Sequence, residues 1–297
     1  NEYGVQEMTL EALQSLRGRL LDLSDLAAYA AYLRKHRIRC RIVNIWPDWK
    51  AVLAGKHTVP EYDRLMISLP DYHNVRDYTG ISAIAARLNE KVTCLDEYLD
   101  TCRRQFTRLT ELGAIGMKDQ SAYTRNIQFD NSPKAAAEEL FNFVMADPRR
   151  SLGWPHVKPL DDFLFHQFMR MARDLDMPVQ VHTGHMAGIR NDIAKTNAVL
   201  LTPVLELHRE VRFDLFHGNW PYLGELLFLG KNYPNVHLDL CWLPILDPVC
   251  TRNLLSEGLG TVPHGSKASC IQFYGVTPQD INTSRRGRWE YAISDGS

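Results

Sequence analysis

Three stretches decide the fold: Pro178-Val-Gln-Val-His-Thr-Gly184, Val211-Arg-Phe-Asp-Leu-Phe-His-Gly218 and Asn235-Val-His-Leu-Asp-Leu-Cys-Trp242. Each opens with a short apolar or β-branched run and closes on polar or aromatic residues. Between them, Ala198 to Leu207 and Tyr222 to Leu229 carry apolar residues at helical spacing. Strand, helix, strand with short connections implies βαβ units and a parallel sheet. The same alternation extends upstream. Leu10 to Leu20 and Leu26 to Leu33 read as helices, Ile38 to Ile45 and Leu65 to Leu69 as strands. Leu95 to Leu112 is an amphipathic helix that stops at Gly113. Ala114 to Met117 is a strand leading to Lys118, and Asp161 to Leu175 is a helix.

Polar residues gather just past the strand ends. That favours a (β/α)₈ barrel of the TIM type, whose active sites lie on the loops after the strands. No GxGxxG or GxxxxGK[ST] opens a helix, which weakens the dinucleotide and P-loop readings. No GxSxG is present, which argues against an α/β-hydrolase. The barrel is expected to be incomplete at the N-terminus, because the chain before Ile38 reads as helices. It is expected to be irregular at the C-terminus, where Gly275 onward is rich in turn residues. The expected division is a barrel over 1–265 and an irregular tail over 266–297, the latter read as out of frame.

At 297 residues, 45% hydrophobic and 23% charged, the chain can bury a large core. A net charge of −1 supplies no overall positive field for nucleic acid. No apolar run nears the roughly twenty residues of a membrane span. The first residues show no basic stretch followed by an apolar one. Six cysteines without a CxxC pair read as thiols of a reducing compartment. The expectation is a cytoplasmic protein acting on a small-molecule substrate, without nucleic acid or membrane. A second copy of the chain is the one macromolecular partner left open.

His182 and His217 each follow an apolar β-run and precede Gly or Thr-Gly. Adjacent parallel strands would set both imidazoles on one rim, where neutral ring nitrogens suit a divalent metal or its bound water. His185 shares the first loop. Lys118 reads either as a solvated strand-end lysine or as a cation at the barrel mouth. Tyr123 and Arg125 follow it, and an Arg fork with a Tyr hydroxyl suits a carboxylate or sugar acid. Asp239 could point to either face of its strand. Trp242 reads equally as a pocket wall or as packing over the mouth.

These residues carry a resemblance. Val181-His-Thr-Gly184, Phe213-Asp-Leu-Phe-His-Gly-Asn-Trp-Pro-Tyr222 and Tyr233-Pro-Asn-Val-His-Leu-Asp-Leu-Cys-Trp242 resemble the amidohydrolase superfamily. In pattern they are similar to its uronate isomerase branch. Gly116-Met-Lys118 with Ala122-Tyr-Thr-Arg125 adds a fourth segment, and together they span over half the chain in the family's order. The resemblance implies one divalent metal, usually zinc. It implies that His182 is a metal ligand and that His217 is catalytic, handling the substrate or a proton. Lys118, Tyr123, Arg125 and Trp242 would contact substrate. The implied reaction is hydrolysis of an amide, ester or lactone of a small acidic or hydroxylated substrate by a metal-activated water. Sugar-acid isomerisation, decarboxylation and a non-catalytic barrel fragment are the alternatives. The family's His-x-His is absent from the sequence. The glycine-flanked Asp of its last strand has no counterpart after Gly265, where the first aspartate is Asp280.

Overall fold

The protein is represented by a computed structural model that describes residues 3–7, 9–20, 22, 25–43, 49–56, 59–263, 273–274 and 290–294. Its strands in chain order are β1 (Ile38–Val43), β2 (Asp63–Ser68), β3 (Ala114–Asp119), β4 (Val179–Val181), β5 (Phe213–Leu215), β6 (Val236–Leu238), β7 (Phe273–Tyr274) and β8 (Glu290–Ser294). β1 to β6 run parallel, and each pairs with the next. The sheet order is β6-β5-β4-β3-β2-β1-β8-β7. This is an incomplete barrel of the expected kind, open between β6 and β7 among the described residues.

Burial explains the strands. Val179, Gln180 and Val181 of β4 are all buried, as are Phe213, Asp214 and Leu215 of β5. A parallel strand covered on both faces needs such a run, because helices lie on one side and the barrel interior on the other. The main core fills the space between sheet and helices. In it the Leu95–Glu111 helix buries Leu95, Tyr98, Cys102, Phe106 and Leu109. The Lys158–Asp174 helix buries Leu164, Phe165, Phe168 and Met171 on the same side. A second, smaller cluster of Ile42, Met66, Phe216 and Cys241 lies within the curl of the sheet.

The interior also holds a polar layer set by strand register. Ser68 pairs with Lys118, Lys118 with Gln180, Gln180 with Asp214, and Asp214 with His237. In-register neighbours project to the same side, so one strand position contributes five polar residues in a row.

The C-terminal segment adds to the sheet. Two pieces of it are strands, and β8 pairs antiparallel along β1, matching Ile42 with Tyr291 and Val43 with Glu290. The edge of β1 is therefore covered by β8. Glu290-Tyr-Ala-Ile-Ser294 lacks the apolar density of a buried strand, and its partner lies some 250 residues away, so local patterning gave no sign of the pairing. Ile45, His57, His264, Asp280 and most of 266–297 lie outside the described residues.

Candidate active site

Past the ends of β3, β4, β5 and β6, a small cavity is lined by Gln120, Tyr123, His182, His185, Ala187, His217 and Trp242. His182 is placed by β4: its backbone N–H donates to the Asp119 carbonyl at 2.9 Å. Its Nε2–H donates to the His185 carbonyl at 2.6 Å, since a carbonyl can only accept. That fixes Nδ1 as the lone-pair nitrogen of the neutral ring.

His217 follows β5 in an unusual backbone. His217, Gly218 and Asn219 all have positive φ, at 63°, 60° and 52°. Non-glycine residues pay a steric cost there, and such strain persists only where the surroundings enforce it. Here the Gly218 N–H donates to the Asp239 carbonyl at 2.7 Å. Asn219 Oδ1 accepts from the Ala198 N–H at 2.9 Å, and Asn219 Nδ2 donates to the Tyr222 carbonyl at 2.9 Å. The turn brings the imidazole beside His182. His217 Nδ1–H donates to the Cys241 carbonyl at 2.8 Å, which leaves Nε2 as its lone-pair nitrogen.

The two lone pairs meet. His217 Nε2 lies 3.3 Å from His182 Nδ1, and the rings are T-shaped with centroids 4.5 Å apart. Both rings are held neutral. Burial, His217 and Lys118 push His182 well below the ordinary imidazole value. Burial and Lys118 push His217 down to about 3. Two acceptor nitrogens facing each other call for a cation or a shared proton between them. The His182 Nδ1 lone pair fits one ligand position of a divalent-metal site, with the His217 Nε2 lone pair facing the same point as a neutral base. Among the described residues no group of three His, Cys, Asp or Glu side chains could hold a metal, and a catalytic zinc takes about three protein ligands.

The other expected residues separate. Tyr123 is in the cavity wall, with its ring 4.8 Å from that of His182, and its hydroxyl oxygen accepts from the Ala187 N–H at 3.2 Å. Partial burial raises the pKa of the phenol further above neutral pH. Trp242 lines the cavity at φ 69° and stands 6.2 Å, ring to ring, from His185. Lys118 is not at the rim. It belongs to the polar layer one step deeper, with Nζ 3.0 Å from the centroid of the Phe216 ring. Burial draws its pKa down to about 7, against the raising effect of Cys241, Asp239 and Asp214. In the same layer burial raises Asp214 to about 7, and just past β6 it raises Asp239 well above the carboxylate range.

Arg125 is not brought to the cavity. Its guanidinium is buried on the helix side of the sheet, paired with Asp161 at 3.2 Å and Asp162 at 2.6 Å. Phe129 and Trp154 cover it at 4.4 and 4.7 Å. Sequence proximity puts Arg125 close to Lys118 and Tyr123. It does not reveal that the start of the Lys158–Asp174 helix, beyond an intervening helix, presents two adjacent buried carboxylates. Gln120 and Ala187 escape sequence reasoning altogether. Their types carry no chemical signal, and only their position past β3 and β4 could have pointed to them.

Comparisons with known proteins bear on these residues. A family model described as amidohydrolase matches residues 60–262, which include every cavity residue. Protein fluG of Emericella nidulans is 27% identical over 164 residues, covering 52% of this chain and 19% of that protein. The chain thus corresponds to about a fifth of that relative's length. A proposed metal-dependent hydrolase from Lactobacillus casei superposes with a TM-score of 0.59 at 18% identity, over 82% of this chain and 62% of that one. Uronate isomerase from Thermotoga maritima gives 0.56 at 12% identity, over 74% and 53%. A uronate isomerase from Bacillus halodurans gives 0.56 at 12%, over 84% and 56%. At these identities the structures establish a shared fold, and the chain spans little more than half of each.

Proposed function

We infer the function from one premise: the chain belongs to the amidohydrolase family, a family of metal-dependent enzymes. On that premise, we propose that it hydrolyses an amide, ester or lactone of a small polar substrate. The observation that carries the reading is the convergence of His182 Nδ1 and His217 Nε2 at 3.3 Å in a cavity past the strand ends. His182 would hold the metal through Nδ1, with His217 Nε2 beside the same point. A bound divalent metal, zinc being the usual one, would supply Lewis acidity and lower the pKa of a coordinated water to about 7.

The chain's own residues account for the rest of the reaction. The scissile carbonyl sits between the Tyr123 and Trp242 walls. The Tyr123 oxygen already accepts from Ala187, so its proton is left to donate to the substrate oxygen as charge develops there. His217, held as a neutral base by the Cys241 carbonyl, takes the proton from the attacking water at Nε2. It then returns that proton to the leaving nitrogen or oxygen as the acyl bond breaks. Lys118 acts from beneath, adding to the burial that keeps both imidazoles neutral, and does not contact substrate.

The test is a panel of amides, esters and lactones, run beside uronates, with the zinc-, manganese- or cobalt-loaded chain. Turnover of an acyl substrate that is lost in His217→Ala supports the reading. Aldose–ketose interconversion of a uronate without acyl hydrolysis overturns it in favour of an isomerase.

A further inference from the structure

His73 carries no motif in the sequence, and it lies outside the cavity. It ends the short Pro70–His73 helix after β2 and is fully buried. One ring nitrogen, Nε2, is 2.8 Å from Asp119 Oδ2. The other, Nδ1, makes a short hydrogen bond with Asp161 Oδ1. Both partners are carboxylates, which only accept unless protonated, so the ring satisfies both as an imidazolium. Phe129, Phe165 and Phe168 enclose it, with centroids 6.0, 5.9 and 6.5 Å away.

Its partners continue into the site. Asp119 is the last residue of β3, and its Oδ1 and Oδ2 also accept from the Ser121 N–H and hydroxyl at 2.9 and 3.0 Å. Its carbonyl receives the His182 N–H. Asp161 is shared with Arg125, at the far end of the segment that carries Gln120 and Tyr123. The cavity wall over 119–125 is thus tied at both ends to the first turn of the Lys158–Asp174 helix. Lys158 closes the network on Asp162 and Asp130.

We propose that His73 is a positioning residue: bridging Asp119 and Asp161, it fixes the cavity wall that carries Tyr123 and the backbone seat of His182. Burial alone would lower the pKa of His73. The charge of Asp161 and the hydrogen bonds to Asp119 and Asp161 overcome burial and raise it to about 9. The groups facing the ring are Asp119 from β3, Asp161 from the long helix with its partner Arg125, and the Ser121 hydroxyl. Around pH 7 the clamp is therefore charged and closed. The inference rests on the cavity reading only for its bearing on turnover.

The test is amide hydrogen exchange on the full chain and on His73→Gln and Asp161→Asn. The Ser121, His182 and Ala187 amides report the wall. The Phe213 amide, bonded to the Asn235 carbonyl at 2.7 Å, reports the distant sheet. Acceleration of tenfold or more at the first three, with Phe213 unchanged, is the expected result. Equal acceleration everywhere would reduce His73 to a general stabiliser and overturn the proposal, as would no acceleration at all. Should both variants fail to fold, the wild type decides. At pH 7.5 the His73 ring should show two slowly exchanging N–H protons by NMR, and a ring with one would overturn the proposal. No arm uses metal or turnover, so failure of the hydrolase reading leaves the result intact. If turnover is found, His73→Gln should lower kcat more than it raises KM.

Discussion

Replacing Gly184 with alanine should damage the site through the backbone alone. Gly184 stands between His182 and His185 at φ +63°. A Cβ there would lie 2.4 Å from Asn219 C, 2.5 Å from Trp220 O and 2.6 Å from Trp220 N. These are main-chain atoms of the turn that follows His217, so no side chain can swing away. The left-handed conformation costs an alanine about 1–2 kcal/mol, and forced overpacking adds about 1–3 kcal/mol. The sum, about 2–5 kcal/mol, is a large share of a domain stability of about 5–15 kcal/mol. At about 2–4 °C per kcal/mol, Tm should fall by roughly 4–20 °C. Relief of the clash must part the loops bearing His182 and His217, so cobalt binding at the pair should weaken too. Gly188→Ala is the control. Gly188 has φ +100° but no contact nearer than Asn191 Nδ2 at 3.9 Å, so it should show the conformational cost alone. Thermal melts and cobalt titrations of the two variants decide it. A Gly184→Ala protein that melts within about 2 °C of wild type and keeps its cobalt affinity would refute the close approach of the two loops.

Three further outcomes are expected. His182→Ala should abolish metal binding, whereas His217→Ala should retain it and lower kcat by about 10²–10⁴; equal loss of metal in both would make His217 a ligand and end its proposed role. His208, stacked on His166 with Nε2 2.8 Å from His166 Nδ1, is held down to about 3 by burial and then by His166. A depressed base contributes stability above its unfolded value near 6.5 and loses it as pH falls towards 3, so His208→Gln should flatten the acid decline by about 1–2 kcal/mol at pH 5, measured by urea unfolding at pH 7 and pH 5. Lys118→Met should raise the pKa values of His182 and His217, because the lysine opposes protonation of both; ring titrations by NMR that move downward would contradict the placement of Lys118 beneath them.

The parallel half of the fold is legible because its strands announce themselves locally. Val179–Val181 and Phe213–Leu215 are apolar on alternate residues, and the helices between them have clear stripes. His182, His217, Tyr123 and Trp242 are legible for the same reason, since each lies within a few residues of a readable strand end. What does not show is long-range. The pairing of β8 with β1 joins opposite ends of the chain. The capture of Arg125 by Asp161 and Asp162 depends on side chains 36 and 37 residues downstream in the sequence. Lys118 reads as a rim residue because strand ends cannot be placed to one residue from pattern, and β3 runs one residue past it to Asp119; the face a side chain takes is as sensitive, since one step along a strand reverses it. Asp239 is ambiguous in sequence by the same rule; it lies fully buried, with Oδ1 accepting from the Cys241 N–H.

The polar layer has a thermodynamic consequence that connects fold to chemistry. Lys118, Gln180 and Asp214 occupy positions where a barrel ordinarily stacks branched aliphatic side chains. Burying such groups is costly, and apolar residues of similar volume would often be as stable or more so. Stability therefore does not explain them. Their position does: Lys118 lies under Phe216, the residue before His217, and in register with Gln180, two residues before His182. A cation there disfavours a proton on either imidazole, while the carboxyls of Asp214 and Asp239 lower the cost of keeping the lysine buried. The carbonyls of His185 and Cys241 then choose which nitrogen of each ring keeps its lone pair. Neutral rings of the right tautomer, aimed at one point, result from burial first, reinforced by the interior layer below, and from the loop carbonyls above.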